Sequence, residues 1–174
     1  MALDPLRLYE YLTKARRRLL DWVRPLTHEQ YTREFPFGLK TVRATLVEMA
    51  RAEWIYMTRL AGETVPPREQ WPITEDRYPT FVDLETAWLA LEPRTRATLA
   101  AVNDWTQQRE WRATVSPPGK ILYMSATPAD MVAQFLFHEV HHRAQAMAML
   151  RQFGVAAQNL DYSVLMFAQR EVPA

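Results

Sequence analysis

Helix-start signals recur along this 174-residue sequence and constrain its fold more than any other feature. Each signal has an Asp or Thr as the capping residue, and two have proline directly after it, where a missing backbone N–H costs nothing. The signals are Asp4–Pro5, Thr41, Thr80 and Thr127–Pro128. Apolar residues at three- and four-residue steps follow each start. The pattern predicts four helices, over residues 4–24, 41–61, 80–104 and 127–153.

Proline residues predict where the helices break. Pro93 should kink or split the third helix, because proline removes a backbone donor and clashes with the preceding turn. Residues 62–79 contain Pro66, Pro67, Pro72 and Pro79, which predicts a long surface connection between the second and third helices. A loop of this length in a small domain often lines a site, and Trp71 and Tyr78 are candidates to cover a pocket there.

The remaining segments complete an all-α prediction. "WRATV" and "KILYM", on either side of a proline–glycine turn, are the only strand candidates. A short fifth element is expected around residues 162–170. We therefore predict a single domain, residues 1–174, folded as a four-helix bundle.

Composition excludes several classes of function. The sequence has no cysteine, so thiolate ligands and a thiol nucleophile are absent. A net charge of +1 gives no reason to expect nucleic-acid binding, and the densest basic run, "KARRR" at 14–18, is interpreted as a solvated helix face. No signal peptide or membrane-spanning run is recognised, so we expect a soluble, cytoplasmic protein.

The histidines are concentrated in one segment, "HEVHHRAQ" at 138–145. On a helix, His138 and His142 project to the same side, where two imidazoles can converge on one metal ion. Gln134 and Gln145 fall on the same predicted inward face. Burying a polar group without a partner costs about 1–3 kcal/mol, so this clustering favours a bound metal over two core histidines.

The same segment also reads as H-E-x-x-H, the metalloprotease helix, with Glu139 as the base. The extended form of that motif needs a third histidine six residues after His142, where the sequence has Ala148. The alternative parsing, H-x-x-x-H-R-x-Q, requires a third ligand upstream.

Three segments carry a resemblance to a known family: "TVRATLVEMARAEWIYMTRLAGE", "FLFHEVHHRAQAMAMLRQFG" and "NLDYSVLMF". In order and spacing they resemble the DinB/YfiT-like family of bacterial four-helix-bundle metalloproteins, over nearly the whole chain. The resemblance implies a divalent metal (zinc, nickel or iron) held by His138, His142 and a residue of the second helix. The family's histidine at that position is replaced here by Glu48, five residues before Glu53.

Glu48 allows two interpretations. As a ligand it completes a set of two histidines and one carboxylate; otherwise it is a surface acid in a member that has lost its metal. It lies more than about 100° from the apolar stripe of its helix, so it faces the interior only if a neighbouring helix packs on that side. Glu53 lies within the stripe, and we predict that it forms an ion pair with Arg143.

The function that the resemblance implies is a metal-dependent enzyme of the thiol-transferase or hydrolase type. Its substrate would be a small molecule, with a low-molecular-weight thiol as a co-substrate, and the protein would form a homodimer. His141 and Glu139 are candidates for a proton shuttle. The alternative is a metal-free bundle that binds a small molecule or a partner.

Overall fold

The computed structural model describes residues 4–115, 120–168 and 170, and in this part the chain is mainly helical, as predicted. The helices are α1 Pro5–Val23, α2 His28–Thr32, α3 Val42–Leu60, α4 Phe81–Leu89, α5 Glu92–Ala100, α6 Pro128–Gln152 and α7 Tyr162–Met166. Strands β1 Arg109–Val115 and β2 Lys120–Ala126 pair antiparallel, which confirms both strand predictions. The proline–glycine turn predicted between them lies outside the described residues.

The caps predicted from sequence begin the helices. Asp4 accepts a hydrogen bond from the backbone N–H of Leu6, and Thr41 accepts one from Ala44. Thr127 and Asp130 form a reciprocal capping box, in which each side chain bonds the other's backbone N–H. These bonds satisfy donors that have no partner inside the helix.

Proline divides the third predicted helix into two. Helix α4 ends at Leu89 and α5 begins at Glu92, which places Pro93 in the first turn of α5, where no backbone donor is needed. Helix α5 ends at Ala100 rather than at Asp104. The predicted break is therefore confirmed, and the last residues of the prediction are loop.

The long helices surround one core. Helix α6 packs against α1 and α3, and α5 packs against the same two helices. The buried side chains between them are largely aliphatic and aromatic and include Leu12, Leu19, Leu46, Met49, Leu84, Trp88, Phe135 and Met149. In the described part of the chain, no helix is both long and apolar enough to cross a membrane.

Residues 62–79 form the long connection that the prolines predict. It contains only a single 3-10 turn, Arg68–Gln70, and it is anchored by the buried side chain of Ile73. The indole Nε1 of Trp71 donates to the carbonyl oxygen of Pro66 at 2.9 Å. The Trp71 ring lies under the guanidinium of Arg51, with 5.4 Å between Cζ and the ring centroid.

One arginine of the predicted solvated basic run is buried in the core. Arg16 is 0% exposed, and its Nη2 lies 2.6 Å from Glu53 and 2.8 Å from Glu139. The interpretation of the basic run is wrong at this position, because the run crosses from the outer to the inner face of α1. The predicted Glu53–Arg143 ion pair is also wrong: Arg143 donates to the hydroxyl of Tyr11 instead.

The carboxylate of Glu53 is held by four donors. Tyr9 and Thr95 donate their hydroxyls to Oε1, each at 2.7 Å, while Trp88 Nε1 donates to Oε2 at 2.8 Å beside Arg16. Burial and the nearby Glu53 charge raise the pKa of Tyr9, so its hydroxyl stays protonated as a donor. This network ties α1, α3, α4, α5 and α6 together.

Candidate metal centre

Helices α3 and α6 bring Glu48, His138 and His142 together. One potential ligand atom from each residue lies within 4.8 Å of the other two. His138 Nε2 is 3.4 Å from Glu48 Oε1, and the two imidazole centroids are 4.4 Å apart. The structure thus places these three sequence-predicted residues in one cluster.

The donor set fits a divalent transition metal. Bonds of about 2.0–2.1 Å in a tetrahedral zinc site place neighbouring ligand atoms about 3.3 Å apart. The observed 3.4 Å between His138 Nε2 and Glu48 Oε1 matches this separation. Two imidazoles and one carboxylate also suit nickel and iron(II), and three protein ligands leave positions open for water or substrate.

Glu48 faces this cluster because α6 packs beside its side of α3. It lies away from the apolar stripe of α3, yet its side chain is only 23% exposed. Its Oε2 accepts a hydrogen bond from Arg51, one turn further along the helix, while Oε1 faces His138. One carboxylate oxygen is therefore fixed by Arg51 and the other is directed at the histidines.

Gln145 orients the second histidine. His142 Nδ1 lies 2.9 Å from Gln145 Oε1, and Gln145 Nε2 lies 2.9 Å from His141 Nε2. Because an amide oxygen only accepts, His142 carries its proton on Nδ1, and its Nε2 keeps a free lone pair. A hydrogen bond on the other ring nitrogen is the usual means of orienting a metal-binding imidazole.

The histidine environment favours neutral imidazoles. Partial burial lowers the pKa of His138 and of His142 below the ordinary value, and the positive charge of Arg51 adds to the effect. Both side chains are therefore uncharged at neutral pH, as a metal ligand must be. His138 Nδ1 is buried and has no hydrogen-bond partner among the described residues.

Glu139 takes no part in this cluster. Its side chain is 1% exposed, its Oε2 pairs with Arg16, and burial raises its pKa. The carboxylate is therefore not available as the base that the metalloprotease interpretation requires, nor as a proton shuttle. His141 is exposed and is bonded to Gln145.

Sequence reasoning missed two residues that shape this region. Arg51 follows Glu48 by three positions, a spacing at which helix side chains meet, so the i,i+3 rule predicts the contact. Arg16 joins Glu139 across more than a hundred residues, and no local pattern predicts that pair.

A helical bundle with two histidines and a carboxylate between two of its helices defines a class of candidate metalloproteins. Within that class the family is established by sequence, since the DinB family model matches residues 1–172. The chain belongs to the DinB family. No curated protein matches the chain significantly.

Proposed function

We propose that this protein is a metal-dependent enzyme whose divalent metal is held by Glu48, His138 and His142. The reaction is of the thiol-transferase or hydrolase type and acts on a small molecule. The observation that carries the proposal is the 3.4 Å separation of His138 Nε2 and Glu48 Oε1, with His142 in the same cluster.

The bound metal supplies an electrophilic centre that lowers the pKa of water or a thiol, or polarises a substrate oxygen. The chain's own residues prepare the site around it. Gln145 holds His142 with Nε2 available, and Arg51 holds one oxygen of Glu48. Trp71, on the long connection, packs against Arg51.

We propose a low-molecular-weight thiol as a co-substrate and a homodimer as the assembled form. The family resemblance supports both. With no cysteine in the chain, an attacking sulfur has to come from a second molecule.

Activity of metal-loaded protein tests the proposal. Protein purified without a tag would be loaded with zinc, nickel or iron(II). It would then be assayed for transfer of a small thiol to an activated aryl halide and for hydrolysis of chromogenic esters and amides. His28 provides a matched control, because it is the one histidine outside the segment 138–142 and is exposed on α2. We expect activity in wild type and His28→Ala and its loss in His138→Ala; equal rates in all three would contradict the proposal.

The second candidate function is a metal-free bundle that binds a small molecule or a partner. The Glu48–Arg51 ion pair favours it, because the guanidinium already neutralises the carboxylate without a metal. In this case neither wild type nor Arg51→Met binds zinc. In the metal-enzyme case both proteins bind zinc, because each keeps Glu48, His138 and His142.

A further inference from the structure

A cavity lies at the C-terminal end of α3. Its volume is about 370 Å³, and its lining includes Arg59, Glu63, Arg109, Trp111, Arg112 and Met131. It is formed by the last turn of α3, the start of the long connection and the first residues of β1. None of the three candidate metal ligands lines it.

The charges around this cavity favour an anion. Three arginines line it, and none of them has an ion-pair partner in the described ranges. Of the two acids in the lining, Glu63 is already paired with Arg94 at 2.8 Å, which leaves Glu110. An oxygen anion placed here would meet more positive than negative charge.

The Arg59 guanidinium is held in place by two aromatic rings. Its Nε and the Nε1 of Trp111 are buried, and neither has a partner within residues 4–115, 120–168 and 170, so an anion would meet the Nη atoms of Arg59 instead. The Arg59 guanidinium lies over the Trp111 ring at 4.8 Å and over the Tyr56 ring at 5.7 Å. Stacking between two rings holds a guanidinium in place with part of its hydration removed, which prepares it to bind a planar or tetrahedral oxyanion.

The cavity is separate from the candidate metal centre. Arg59 follows Glu48 by eleven residues, which corresponds to about 16 Å along α3. Between the two positions lies Tyr56, whose ring packs against the Arg59 guanidinium. An anion in the cavity therefore does not reach the metal ligands.

We propose that this cavity is a binding site for the carboxylate or phosphate group of a small molecule. Arg59 supplies the charge, the Trp111 ring holds its guanidinium in place, and Arg112 adds a second positive charge at the rim. Arg109 is partly occupied, since its Nη1 already donates to the carbonyl oxygens of Arg59 and Leu60 at the end of α3.

Binding of two probe anions tests the proposal at constant ionic strength. Succinate would be titrated by saturation-transfer NMR and inorganic phosphate by ³¹P line broadening, each with metal-free full-length protein. Saturable binding of succinate alone assigns a carboxylate site, and of phosphate alone a phosphate site. Saturable binding of neither overturns the proposal.

Matched variants locate the bound anion. Arg59→Met keeps the packing stem and loses the charge, and we expect it to weaken binding about tenfold or more. Arg112→Met removes the second positive charge, so binding should weaken severalfold even if Arg59→Met does not fold. Arg151→Met, at the far end of α6, should bind as wild type does. Unchanged binding in both cavity variants, or loss of binding in His138→Ala, would overturn the assignment.

Discussion

His142 and Gln145 are joined by a hydrogen bond of 2.9 Å between the Nδ1 of the imidazole and the Oε1 of the amide. The other end of the same amide bonds His141, so the amide can serve His142 only as an acceptor. One glutamine thereby decides which nitrogen of His142 is available to a metal. This gives the final glutamine of the H-x-x-x-H-R-x-Q pattern a physical role.

Replacing Gln145 by Ala should weaken metal binding without unfolding the protein. Removing an orienting partner of a ligating histidine typically costs about 10–100-fold in metal affinity. Competition with a chromogenic zinc chelator measures the change, and Gln152→Ala, an exposed glutamine at the end of α6, is the control. Wild-type affinity in Gln145→Ala would contradict the orienting role.

Gly38 should be required for Gln145 to orient His142. A methyl group at Gly38 would lie 3.2 Å from the Gln145 side chain, and the φ of +59° disfavours any side chain. Gly62 is a matched control with a similar φ of +78° and no atom within 4 Å of the added carbon. We expect alanine at either position to reduce stability by about 1 kcal/mol. Only Gly38→Ala should also weaken zinc binding; an equal zinc affinity in the two variants would show that the contact does not matter.

Metal affinity should depend on pH in a specific range. Burial lowers the pKa of both His138 and His142 below the ordinary value of 6.5. Protons therefore compete with metal only at lower pH, and zinc affinity should stay level from pH 8 to about 6.5 and fall below that. Isothermal calorimetry across this range measures it. An affinity that already falls between pH 8 and 7 would mean that the histidine pKa values are not lowered.

The lowered pKa values of His138 and His142 also affect the stability of the metal-free protein. A histidine whose pKa is lower in the folded state favours folding while it is neutral in both states. Its contribution to stability is therefore present above about pH 6.5 and is lost as pH falls through the lowered pKa.

Glu53→Gln should be strongly destabilising. An amide nitrogen in place of either carboxylate oxygen would face two of the donors that now bond to Glu53. Arg16 would also lose one of its carboxylate partners. Breaking such a buried pair costs about 3 kcal/mol or more. Urea denaturation measures the loss. The control is Glu63→Gln, which breaks an exposed ion pair with Arg94 and should cost less than about 1 kcal/mol of stability. A similar loss of stability in the two variants would contradict the role of the buried network.

The helices were predictable because their signals are local. Capping residues such as Thr127, the proline at position 93 and the three- and four-residue apolar steps act within one or two turns, and the structure follows them closely. The cluster was predictable in part for the same reason, since His138 and His142 are one turn apart. Glu48 came from the family resemblance, because nothing within α3 shows that α6 packs beside it.

The errors concern long-range polar contacts. Arg143 and Arg16 both lie on helices with mixed faces, and sequence periodicity does not show which of them reaches Glu53. The choice depends on how α1, α3 and α6 are arranged around the core. There Arg16 also stacks on Trp88, with 4.4 Å between Cζ and the ring centroid, while Arg143 lies over Tyr11. Side-chain surroundings of this kind arise only after the helices have packed.

The metal content of the purified protein tests the central claim most directly. Wild type, Glu48→Ala, His138→Ala and the control His28→Ala would be prepared without a tag and incubated with zinc, nickel and iron(II). After gel filtration, elemental mass spectrometry would measure the metal that remains bound. We predict about one metal ion per chain in wild type and His28→Ala, and its loss in the other two variants. Equal metal content in all four proteins, or none in wild type, would contradict the Glu48–His138–His142 site.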